Sequence, residues 1–265
     1  MYHIDVFKEG GYRYIPSVFQ YSAGVAAEPG FQLVNARFRS ILPIQEAFTC
    51  IEQHLKKIGR PLTAFAHCEL RSPKQFDDQG FIAFNRKYVH TLGEWGIYQA
   101  ESKESSFINP VARTNVCPEY FGPTEVGMYA FTYTVLTSSN STGSFVLSGG
   151  GDARSGPEPY RERIIAYGDT SNAGLKRKME FVADEMTKRL ESLGFNWSDV
   201  TSAQAYSVHN IGGLLEDVFV KQGYSRSGMN WHFSRPPVAG LDFEMDLRGS
   251  VNQIFIQNAS QNPLL

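Results

Sequence analysis

Apolar positions along this chain recur with two periods, one helical and one extended. From Ile44, the residues Ala47, Phe48, Ile51, Leu55 and Ile58 keep helical spacing until Gly59-Arg60-Pro61 stops the run. Leu175, Met179, Val182, Ala183, Met186, Leu190 and Leu193 line one face of a longer helix ended by Gly194. Phe81, Phe84, Tyr88 and Leu92 predict another helix, and Leu214, Leu215, Val218 and Phe219 a fourth. The period changes to two between Thr63 and Leu70, where Ala64, Ala66, Cys68 and Leu70 alternate with Phe65, His67 and Glu69 as in a covered strand. Further strands are predicted near Ser17–Val25 and Phe31–Phe38, joined by Glu28-Pro29-Gly30, and over Met128–Val135, Phe145–Ser148, Thr201–Val208, Phe243–Leu247 and Val251–Ile256.

This order of elements occurs twice. Ile58-Gly59 followed by Leu62–Ala66 returns as Leu193-Gly194 followed by Asp199–Ala205, and Ala112-Arg113-Thr114-Asn115-Val116 returns as Ser234-Arg235-Pro236-Pro237-Val238. The expectation is an α+β chain of two tandem domains, 1–137 and 138–265, each a mixed sheet with two helices on one face. Ser138–Gly143 has the composition of a linker, and a hairpin turn would look the same. The stretch Asp152–Ala173 has no counterpart of like character in the first half and reads as a lid or binding loop.

Composition removes several function classes. With 25 basic and 27 acidic residues the net charge is -2, so no positive field gathers nucleic acid or anionic lipid. No apolar run reaches membrane-spanning length and Met1–Asp5 has no signal-peptide pattern, so a cytoplasmic protein is expected. Cys50, Cys68 and Cys117 are odd in number and scattered, which fits neither a disulfide framework nor a zinc site. The six histidines form neither HxH nor HExxH, and Ser148-Gly149-Gly150-Gly151-Asp152 has neither the Gly-Lys-Ser/Thr of a P-loop nor a dinucleotide fingerprint. No metal or cofactor is expected, and no GxSxG elbow marks a serine hydrolase.

Several short stretches share the character of one known family. Gln20-Tyr21-Ser22-Ala23 resembles the early Pro-Tyr-Ser-Gln stretch of the YjgF/RidA family, small cofactor-free imine and enamine deaminases that include endoribonuclease L-PSP-like proteins. Gln32–Arg37 and Phe145–Gly150 resemble its strand ending in Ser-Gly-Gln, and Pro110–Val116 resembles its Pro-Ala-Arg-Ser-x-Val signature. The resemblance covers most of the chain, once per half, and implies RidA-like (chorismate-mutase-like) domains in which the signature arginine binds a substrate carboxylate. It assigns Arg113, Tyr21, Asn35, Ser148 and Gly149 to substrate binding, and Glu244 with Arg235 to catalysis.

The departures matter as much. Where the family carries a water-positioning glutamate, the first half has Met128-Tyr129-Ala130-Phe131, while the second offers Glu244 in Phe243-Glu244-Met245-Asp246-Leu247. Arg235 is followed by two prolines, which removes a backbone donor. A full set of groups therefore requires both halves to share a site. Glu244 and Asp246 alternate with apolar neighbours and also fit the wet face of a strand.

The chemistry implied is modest: a guanidinium fork holds a carboxylate, and a carboxyl group moves the proton for attack of water on a C=N carbon. The leading expectation is a RidA-like hydrolase releasing ammonia from a labile carboxylate-bearing metabolite. Chorismatase-like chemistry and a carboxylate-binding protein without catalysis are the competing readings. Because family members cover the open sheet face by packing three domains about an axis, a homotrimer is expected.

Overall fold

The computed structural model describes residues 1–102, 106–138, 143–224, 226–249 and 251–256. Residues 139–142, most of the linker expected at Ser138–Gly143, lie outside them. The chain opens with three short strands, β1 (Asp5–Phe7), β2 (Tyr12–Tyr14) and β3 (Gly24–Ala27), then a long one, β4 (Phe31–Pro43). Helix α1 (Ile44–Lys57) buries Ala47, Phe48, Ile51 and Leu55, the stripe read from the sequence, and closes at Gly59, whose φ of +69° belongs to the left-handed region. Strand β5 (Phe65–Arg71) leads to α2 (Asp78–Glu94), where the Asp77 carboxylate accepts the Gly80 N–H at 2.6 Å and caps the first turn. Strands β6 (Ala112–Pro118) and β7 (Gly127–Leu136) follow.

Past the undescribed residues come β8 (Phe145–Gly151), the short helix α3 (Tyr160–Arg163) and the 22-residue α4 (Asn172–Leu193). Ser171 caps α4 and Gly194, at φ +86°, ends it as the periodicity predicts. Strand β9 (Ser202–Tyr206) precedes α5 (Gly212–Leu215), which runs into a π turn, Glu216–Val220, so the fourth helix is shorter than its apolar pattern suggests. The chain finishes with β10 (Met229–His232), β11 (Ser234–Arg235), β12 (Glu244–Gly249) and β13 (Asn252–Ile256).

Hydrogen bonding sorts these strands into two mixed sheets, ordered β1-β2-β3-β8-β12-β9-β10 and β11-β6-β5-β7-β4-β13. Both sheets take strands from both ends of the chain. β3 pairs with β8, while β13 runs parallel to β4, with Asn252 opposite Val34. Beside β9 the parallel neighbour is β10, just as β6 is the parallel neighbour of β5. Arg235 instead sits on β11, antiparallel to β6 and opposite Cys117. Arg113 and Arg235 are therefore on adjacent strands of one sheet and are not topological counterparts, although their local sequences match.

Each sheet has an apolar face under helices. Helix α4 buries Leu175, Met179, Val182, Met186 and Leu190 against Phe145, Leu147, Ala203, Ala205, Met245 and Leu247. Helices α1 and α2 bury Phe48, Ile51, Leu55, Tyr88 and Leu92 against Val34, Phe65, Cys68, Leu70 and Phe131. Each fully buried Leu, Ile, Val, Phe or Met among them contributes about 1.5–3 kcal/mol of transfer free energy.

The other faces of the two sheets meet each other. Tyr12, Tyr14, Val25, Ala27, Leu33, Ala66, Ala112 and Val146 form an apolar part of this contact. The rest is polar: Glu244, Asp246 and Arg248 project from β12, and Arg248 reaches Glu69 on β5 at 3.0 Å. The face of β12 that the alternation assigns to water is thus dry. The cover expected from neighbouring domains in a ring is supplied by the second sheet of the same chain.

Candidate active site

Where β6 of one sheet approaches β8 of the other, an open cavity of about 600 Å³ is walled by Tyr21, Phe81, Arg113, Gly149, Gly150, Arg189, Glu244 and part of the 152–173 stretch. Its size suits a small-molecule ligand. Both halves contribute, as the division of motifs required.

Local geometry makes this corner rigid. The Arg113 backbone N–H donates to Ser148 Oγ at 2.9 Å, and Ser148 Oγ donates to the Ser22 carbonyl at 2.6 Å. Ser22 is fixed to the strand's approach in turn, its N–H donating to Val111 O at 2.8 Å and its hydroxyl to Pro110 O at 2.9 Å. One buried hydroxyl therefore sets the positions of β6, β8 and the loop bearing Tyr21. Gly149 N–H donates to Thr114 Oγ1 at 3.1 Å, and a Cβ at position 149 would lie 2.0 Å from Glu244 Oε1. Only glycine lets that carboxyl group lie against the strand.

Arg113 is 2 % exposed. Its guanidinium carbon lies 4.9 Å from the Tyr88 ring centroid, 5.1 Å from Tyr21, 5.7 Å from Phe84 and 5.8 Å from Phe81. Ring quadrupoles hold the cation. Yet Nη1 and Nη2 meet no hydrogen-bond acceptor among the described residues. Buried donors without partners cost stability, and a carboxylate ligand would satisfy both at once.

Glu244 is buried beside it. Burial, then the charges of Asp246 and Asp152, push its carboxyl well above the usual range, and Arg189 and Arg113 oppose them only in part. The shift favours the protonated form, the state a proton donor needs. Burial also raises the Tyr21 hydroxyl, against the pull of Arg113.

A buried ion cluster holds the wall on which Glu244 sits. Lys178 of α4, fully buried, meets Asp152 at 2.7 Å and Asp242 at 3.1 Å and donates to the Ile165 carbonyl at 2.7 Å. Asp152 Oδ1 accepts the backbone N–H groups of Asp242 and Phe243 at 3.0 and 3.2 Å. The 152–173 stretch, α4 and the start of β12 are tied at one point.

The structure brings together Tyr21, Arg113, Gly149 and Glu244 in this cavity, with Ser148 bracing it from behind. Asn35 is elsewhere, fully buried in the polar layer and donating to Thr132 Oγ1 at 3.1 Å. Arg235 lies outside the cavity and forks Glu119, with Nε and Nη2 at 2.6 and 2.8 Å from its two oxygens. Sequence reasoning passed over Arg189, Tyr160 and the aromatic wall of α2. Phe81, Phe84 and Tyr88 served only to mark a helix, and Arg189 was not singled out; its place three residues after Met186, beside the apolar stripe of α4, was the available signal. Cys68 and Cys117 are unfit nucleophiles, since burial pushes both thiols up to about 12. Among the described residues, no group of three or more acidic, His or Cys side chains has a metal-binding arrangement, and no helix is long and apolar enough to cross a membrane.

The chain belongs to the family of the 2-aminomuconate deaminase CnbZ, whose family model matches residues 4–254. It is 55 % identical to a 2-amino-5-chloromuconate deaminase of Comamonas testosteroni over 249 residues, 94 % of this chain and 97 % of that protein. Its fold is shared with a chorismatase crystal structure at TM-score 0.51 and 12 % identity, over 86 % of this chain and 77 % of that one. A putative endoribonuclease of Thermotoga maritima aligns at TM-score 0.32 and 17 % identity, over 50 % of this chain and 89 % of that one, a likeness too slight to build on.

Proposed function

We propose that this chain is a hydrolytic deaminase acting on a 2-aminomuconate-type substrate, a six-carbon dienoic diacid with an amino group beside one carboxylate. The observation that carries this is Arg113, buried with two donors unmet among the described residues, next to a carboxyl group whose surroundings favour its protonated form. Membership of the deaminase family and the 55 % identical relative support the substrate class. The chorismatase likeness is one of fold alone and lends no reaction.

Arg113 takes the carboxylate next to the amino carbon through two parallel hydrogen bonds, with the rings around it excluding water. Glu244 gives its proton to a carbon of the conjugated chain, turning the enamine into an iminium. Water adds to the iminium carbon and passes a proton to the Glu244 carboxylate. That proton is delivered to nitrogen, the C–N bond breaks, and ammonia leaves. The added oxygen returns its last proton to the Glu244 carboxylate, which leaves the 2-oxo acid and restores the protonated side chain, and no electron changes hands. Glu244 thus alternates between acid and base, which its raised affinity for protons favours at neutral pH.

Ammonia release from 2-aminomuconate by the purified protein tests the proposal. Turnover should fall by about 10²–10⁴-fold in Glu244→Gln. Wild-type protein that binds the substrate without releasing ammonia would leave a binding protein in its place.

A further inference from the structure

Arg189 has no part in the chemistry above, yet it lines the same cavity from a different element. It approaches from α4, behind β8. A Cβ on Gly150 would lie 3.2 and 3.3 Å from its Nη1 and Nη2 and 2.6 Å from Met186 Cε, so the missing side chain leaves room for the guanidinium against the strand. Nη1 donates to the Ser148 carbonyl at 3.1 Å, which fixes the group in place, while the buried Nε meets no acceptor among the described residues. Glu185, one turn earlier, is committed to Lys188 at 2.7 Å and to the Tyr2 hydroxyl.

The other arginines of the cavity are differently placed. Arg163 spends Nε and Nη1 on the carbonyls of Glu158 and Arg154, at 2.7 and 2.8 Å, and stacks on Tyr160 at 4.2 Å, so it holds its own loop together. Arg154 is exposed. Arg113 and Arg189 are the two cavity-lining arginines with buried donors that no described acceptor meets. They come from opposite halves of the chain, and both act on the charge of Glu244.

A diacid held by Arg113 alone would leave its second carboxylate, partly desolvated by the cavity wall, without a partner, which costs affinity. We propose that Arg189 binds the distal carboxylate, so that the cavity selects diacids over monoacids of the same length. This deepens the deaminase reading and rests on it for the orientation of the ligand.

The test uses two six-carbon dienoic probes that lack the amino group, muconate with two carboxylates and sorbate with one, and measures their binding to the full chain by calorimetry. Wild-type protein should bind muconate about 10- to 100-fold more tightly than sorbate, the discrimination expected of a charge-assisted hydrogen-bonded pair. Arg189→Gln should bring muconate down to the level of sorbate and leave sorbate unchanged; Arg189→Met serves if the glutamine variant does not fold. Equal binding of the two probes by wild-type protein, or equal loss of both in the variant, would overturn the assignment. Arg113→Met should lose both probes. If it retains both, the failure lies with the carboxylate grip of Arg113 and hence with the deaminase reading itself.

Discussion

Two arginines, each 2 % exposed, one on β12 and one on β6, are treated in contrary ways. Arg248 has Glu69 at 3.0 Å and Asp246 at 3.5 Å, and Glu69 also meets Arg71 at 3.5 Å. Asp246 accepts from Tyr206 at 2.9 Å and Gln204 at 3.2 Å, and Gln204 meets His232 at 2.8 Å. Burial alone would raise the Glu69 carboxyl, but Arg248 and then Arg71 hold it well below the ordinary range. Burial, with Arg248 adding to it, drives nearby His67 down to about 3, so that ring stays neutral. Arg113 is ringed by aromatic side chains, and Glu244, a carboxyl group on which its charge acts, is pushed the opposite way from Glu69. A cavity of about 600 Å³ also opens beside Arg248, between Arg37, Gln204 and Asn230. Volume therefore does not separate the two regions. The difference is that Arg248 has carboxylates of the protein beside it, while both terminal nitrogens of Arg113 meet no acceptor among the described residues.

The largest expected break in this comparison is in stability. Glu69→Gln leaves Arg248 and Arg71 short of their shared counter-charge and should destabilise the fold by about 3–5 kcal/mol in a denaturant melt. Arg113→Met, which removes a buried charge with no ionic partner, should cost no stability by the same measurement. Equal losses would mean that both arginines are structural.

The second expectation concerns pH. Because the folded-state affinity of Glu244 for its proton is raised, the native state holds a proton that the unfolded chain has lost above about 4.5. Stability contributed by the protonated form is complete below that value and declines as pH climbs toward the raised one. Melting temperatures of Glu244→Gln, compared with wild type from pH 5 to 9, should fall less steeply with rising pH. Parallel curves would show that Glu244 is ionised at neutral pH.

The smallest effect is predicted at Arg235. Its pair with Glu119 is partly solvated, so Arg235→Ala should change stability by less than about 1 kcal/mol and leave carboxylate binding intact. Lost binding there would move the site to the outer strand.

How much of this was legible follows from which forces are local. The stripes of α1 and α4 and their glycine stops are written in single windows of sequence, and both helices end where Gly59 and Gly194 place them. The alternation of Glu244, Asp246 and Arg248 against Met245 and Leu247 was equally plain, but the same pattern serves a face turned to water or to another sheet. What lies opposite is settled by strands far away in sequence. Asp5–Phe7 and Tyr12–Tyr14 are too short to display any period, and their pairing with β3, and that of β3 with β8, leaves no local mark. The match between Arg113 and Arg235 misled for a related reason: three or four similar residues specify a local conformation, whereas the partner strand decides which side of the molecule the arginine serves. Arg113, Glu244, Tyr21 and Gly149 were nameable as candidates because short stretches around them resemble the motifs of one family; Arg189 belongs to no motif and became visible only through its neighbours.

The exchange of strands between the sheets also bears on how the molecule comes to exist. As the chain is synthesised, α1, α2 and β4 through β7 can assemble early, but the outer edge of β4 has no neighbour until Asn252–Ile256 arrives. The opening strands likewise wait for Phe145–Gly151. Pairings of such long sequence separation are slow to form, and an unpaired edge is sticky while it lasts. Each end of the polypeptide closes the sheet begun by the other, like two hands each fastening the opposite cuff, so assembly must come late and nearly all at once.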